Sequence, residues 1–150
     1  EDKRGVVETL LGPVSAAVRD AIARCERALA RVGSAAELLA AYEALAGELA
    51  AVLIEEAAAV QLYLQEAQAP RNGPVQALAA EVADAAIRLT EAAQAHGLVA
   101  ANDARVSALA VVGGVERLLY EHLVVAPFDE PLEAAGEVVR LVLDGVRAAR

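Results

Sequence analysis

An all-α fold follows from three features of this sequence. Alanine and leucine, the strongest helix formers, dominate it. Strand formers are scarce: aromatic residues make up 3% of the 150-residue chain, and apolar positions never alternate for long. Apolar residues recur instead at spacings of three and four, the period that lines one face of a helix. The chain is long enough to bury a core. Its length predicts a single domain over residues 1–150, built as a bundle of about six helices.

The first helical segment covers roughly Lys3 to Arg31, with Val14, Val18, Ile22, Cys25, Leu29 and Val32 as its stripe. Gly12-Pro13 predicts a kink or the end of a first short helix, because proline lacks an N–H and clashes with the preceding turn. Gly33 closes the segment. Ser34-Ala35-Ala36-Glu37 then reads as a capping box, Ser34 accepting from the Glu37 amide while Glu37 reaches back. The second helix carries Leu38, Tyr42, Leu45, Leu49 and Val52 or Leu53. Its stripe changes phase at Ile54-Glu55-Glu56, which predicts a short break and a further helix through Val60, Tyr63 and Leu64 to about Gln68.

Pro70-Arg71-Asn72-Gly73-Pro74 is the clearest loop, with Pro74 suited to a first helical position. Val75, Leu78, Val82, Leu89 and Ala93 form the next stripe, with Glu81, Asp84, Arg88 and Glu91 on the polar side. His96-Gly97-Leu98 predicts a helix end in which Gly97 turns left-handed and Leu98 folds back. Asn102 or Asp103 caps the penultimate helix, which runs to about Val125, and a last helix begins near Pro131.

Composition excludes several classes of function. Mean hydropathy is +0.41. Charges nonetheless interrupt each candidate span, as Glu37, Glu43 and Glu48 do between Ala35 and Leu53. No stretch approaches the ~20 uncharged apolar residues that a bilayer requires. No secretory signal is expected, since Glu1-Asp2-Lys3-Arg4 leads straight into an amphipathic helix. A net charge of −9 argues against nucleic-acid binding by this segment. The lone Cys25 rules out an internal disulfide and fits a reducing, cytoplasmic setting.

The inventory also argues against catalysis. A di-iron bundle needs Glu-x-x-His on two helices, and Ala93 and Leu119 stand three residues before His96 and His122. No Cys/His cluster suits zinc, so neither a metal nor a cofactor is expected. Gly113-Gly114 lacks the lysine and serine of a phosphate loop.

Two stretches resemble TetR-family transcriptional regulators. One is the opening Glu1-Asp2-Lys3-Arg4-Gly5-Val6-Val7, which looks like the turn and joining helix that follow that family's helix-turn-helix domain. The other comprises the Gly97-Leu98 turn, Asp103, Gly113-Gly114 and the closing Leu141-Val142-Leu143-Asp144-Gly145. The resemblance implies a ligand-binding and dimerisation domain of a cytoplasmic repressor. Its last two helices would form a four-helix interface with a second copy. A DNA-binding domain would precede residue 1 and is absent from this chain, so any DNA contact would be made there. A small apolar effector would enter among the central helices and, by altering the spacing of paired recognition helices, release an operator.

On this reading the effector site draws on Cys25, Tyr42, Leu45, Leu49 and Tyr63, together with Val82 and Leu89 on the fourth helical segment. The dimer interface draws on Val106, Ala110, Gly113, Arg117 and Tyr120, and in the last helix on Leu132, Gly136, Val139, Leu143 and Val146. Plainer roles remain open at each position. Two glycines inside a helix cost about 1 kcal/mol each. A dimer seam would offset that cost, as would an intramolecular crossing or a pocket floor. The tyrosines can equally be core residues bonded to a carbonyl, and Cys25 a small buried hydrophobe. Two rival functions also stand: a helical protein-interaction module with a filled core, and an apolar-ligand carrier with no DNA partner.

Overall fold

The computed structural model describes residues 3–67, 69, 72–99, 103–127, 129, 130, 133, 134, 136, 137 and 141. Among them there is no strand. The chain forms α1 (Lys3–Leu29), α2 (Ala35–Glu55), α3 (Ala57–Glu66), α4 (Pro74–Ala95) and α5 (Ala104–Tyr120), and α5 runs on into a π-helical turn, Glu121–Val125. The expected last helix falls largely outside the described residues. Glu133, Ala134, Gly136, Glu137 and Leu141 are helical, and the Ala134 amide donates to the Glu130 carbonyl at 3.1 Å.

The helices fall into two compact units, one over Glu1–Glu81 and the other over Val82–Arg150, with the boundary inside α4. In the first unit α1 packs along α2, and both touch α3. Its core is Leu11, Val14, Ala21, Cys25 and Leu29 of α1 against Leu38 and Ala41 of α2, with Ala59, Val60, Tyr63 and Leu64 of α3. Val75 and Leu78 at the start of α4 complete it. In the second unit Ala85, Ala93, Ala108 and Leu119 are buried.

Helix boundaries follow local chemistry. The Ser34 hydroxyl accepts from the Glu37 amide at 3.3 Å and caps α2. The Glu37 carboxylate reaches back one residue further than the expected box, accepting from the Gly33 amide at 2.8 Å. The phase change at Ile54–Glu56 is a one-residue break: Glu56 leaves helical geometry at φ −120°, ψ 34°. Asp103 caps α5 by accepting from the Arg105 and Val106 amides at 2.9 and 3.1 Å. Pro74 opens α4, where its missing N–H costs nothing.

Helix α4 ends as its sequence predicts. Gly97 has φ 73°, its amide donates to the Gln94 carbonyl, and the Leu98 amide donates to the Ala93 carbonyl, both at 2.9 Å. This 6→1, 5→2 pattern turns the chain back with the last carbonyls satisfied.

Three local expectations are revised. Gly12-Pro13 does not end a first short helix, and α1 runs for 27 residues with Pro13 inside. Thr9 and Pro13 are both exposed, so water can serve the Thr9 carbonyl that proline leaves without a helical donor. The buried line of α1 passes through Leu11 and Ala21, whereas Val18 and Ile22 are half-buried. On α2 the residue buried beside Leu38 is Ala41, with Tyr42 at the margin.

Two substitutions test this packing by urea denaturation. Leu38 is 0% exposed, so Leu38→Ala is expected to cost ~2–5 kcal/mol through lost burial and a residual cavity. Gly97→Ala places a Cβ in the left-handed region and is expected to cost ~1–2 kcal/mol.

Candidate functional site

The first unit gathers five of the seven residues assigned to effector binding. Cys25 and Tyr63 are buried, and Tyr42, Leu45 and Leu49 are half-buried. Val82 and Leu89 are half-buried members of the second unit.

Cys25 marks the contact between α1 and α2. Its thiol donates to the main-chain carbonyl of Ala41 at 3.6 Å. A cysteine side chain is short, so this contact means that the α1 backbone lies close to α2 there, which the alanine permits. Burial pushes the Cys25 thiol above its ordinary value, helped by the Glu26 and Glu48 carboxylates. A thiolate is therefore disfavoured there, which fits a packing residue better than a reactive one. Burial also pushes the neighbouring Tyr42 phenol up to about 12, with Cys25 adding to the shift. Near neutral pH the group remains an uncharged hydroxyl.

No charged or strongly polar side chain is buried among the described residues. What the core of the first unit offers a guest is aliphatic surface, one thiol and tyrosine hydroxyls. Two ion pairs frame this unit from outside. Arg19 on α1 grips Glu81 on α4 with N–O distances of 2.6 and 2.9 Å, and Arg24 grips Glu48 on α2 at 2.6 to 3.2 Å. Both are two-pronged and both are exposed. They orient the helices more than they stabilise them, because water screens exposed pairs. Neither pair is legible in the sequence, since the partners lie 62 and 24 residues apart.

The second candidate surface is the outward face of α5. Ala108 and Leu119 are buried on one side of this helix. Val106, Ala110, Gly113 and Arg117 are all exposed on the other, with Tyr120 half-buried at its end. Leu109, absent from the expected interface, joins them at 41% exposure, and Val106 reaches 64%. Leu109 lies four residues before Gly113, so helical spacing alone could have placed it.

Nothing described lies within 4 Å of the position that a Cβ on Gly113 would take. Arg117 lies over the Tyr120 ring, with its guanidinium carbon 5.5 Å from the centroid, and pairs with Glu121 one turn on. The Glu121–Val125 segment then widens to π geometry, the Ala126 amide donating to the Glu121 carbonyl at 2.8 Å. Nothing in the sequence signalled that widening. Of the last-helix candidates, Gly136 is described and exposed, and Leu132, Val139, Leu143 and Val146 lie outside the described residues.

Among the described residues no group of three or more His, Cys, Asp or Glu could hold a metal ion. No described helix is long and apolar enough to cross a membrane. Comparison with known proteins finds no relative: no protein-family model, no curated protein and no solved structure matches this chain.

Two measurements follow from these environments. Cys25 should react with a disulfide reagent at pH 8 only after denaturant is added; fast reaction in the native protein would contradict its burial. The carboxyls of Glu81 and Glu48 are held below their ordinary value, first by the hydrogen bonds from Arg19 and Arg24. Their contribution is complete above the unfolded-state value of about 4.3 and disappears as pH falls through the lower folded value. Between about pH 5 and about pH 3 the native protein should therefore lose slightly more of its urea midpoint than the Arg19→Gln, Arg24→Gln variant.

Proposed function

We propose that this chain is the effector-binding and dimerisation domain of a TetR-like transcriptional repressor, with DNA contact made by a domain outside it. The observation that carries this reading is the outward face of α5. Val106, Leu109, Ala110 and Gly113 give it an exposed apolar surface, and outside its own helix no described residue lies over the glycine. A surface of that composition suits a second copy approaching closely, in an interface where one patch meets its own copy. The order of elements supports the same assignment. The left-handed turn at Gly97, the Asp103 cap and the glycine-bearing helix after them are the features on which the family resemblance is read.

The effector is a small, uncharged and largely apolar molecule that inserts among α1, α2 and α3. The reason is electrostatic. Burying an unpaired charge costs several kcal/mol, and this core supplies no buried ionic partner among the described residues. The Tyr42 hydroxyl would orient the guest, since it stays neutral and lies half-buried beside Cys25. Binding among these helices would bear on α1, the helix that in such regulators joins the sensing and DNA-binding domains.

A protein-interaction module without a small-molecule ligand is the second reading. It is favoured by the small buried residues Ala21, Ala41, Ala59, Ala85 and Ala93, which let helices pack closely.

A thermal-shift series with 1-decanol, 2-naphthol and the charged analogues decanoate and 2-naphthoate separates the two. The regulator reading expects a neutral compound to raise the melting temperature while its charged analogue does not. A ligand at a hundred times its dissociation constant adds about 2.7 kcal/mol, and Tyr42→Phe should reduce that gain. No shift with any of the four, together with no co-purified mass in native mass spectrometry, would favour the interaction module.

A further inference from the structure

We draw no further inference here: the strongest candidate, the outward stripe of α2 from Leu39 through Ala46 and Gly47 to Ile54, is an exposed, largely apolar face interrupted by Glu43, and nothing in the structure shows what covers it.

Discussion

The close approach of α1 and α2, marked by Cys25 against the Ala41 carbonyl, is the constraint on the first unit. A side chain with a single heavy atom beyond Cβ reaches the backbone of the neighbouring helix only if the two helices lie close together. That closeness decides what else can be buried. Ala21 and Ala41 lie in the core, and the larger Val18, Ile22 and Tyr42 are displaced to its margin. The ion pairs from Arg19 and Arg24 then fix α1 against α4 and α2 from the solvent side without bringing charge inward. The result is a core almost free of polar chemistry. The proposed guest would then be selected by shape and by the few hydroxyls at the edge of this core.

The second unit is governed by asymmetry within α5. Its buried side carries Ala108 and Leu119, and its other side is apolar where a solvated helix would be charged. Arg105 and Glu116 border this surface, and Arg117 lies within it, its charge shared between the Tyr120 ring and the Glu121 carboxylate. Held in this way, the guanidinium covers the end of the apolar face while remaining hydrated. Gly113 lies mid-helix, where glycine is unfavourable. No described neighbour explains its presence.

Much of this fold was legible in the sequence because its signals are local. The Ser34 and Asp103 caps, the break at Glu56, Pro74 at a helix start and the left-handed Gly97 each depend on a few adjacent residues. What could not be read depends on distant partners or on small energy differences. Proline tolerance in α1 rests on which side of the helix meets water. The burial of Ala41 ahead of Tyr42 rests on how closely two helices approach. The Arg19–Glu81 pair joins positions with no sequence proximity. The outward side of α5 was legible from periodicity, and Leu109 could have been assigned with the others.

The central claim is that the outward side of α5 pairs with a second copy of this chain. Sedimentation velocity over a range from low to high micromolar concentration tests it most directly, comparing the native chain with Val106→Glu, a change at a position already 64% exposed. The account predicts a dimer for the native chain and a folded monomer for the variant, because a charge in each copy would meet apolar surface across the interface. A native chain that remains monomeric throughout, or a variant that dimerises as well as the native chain, would contradict it.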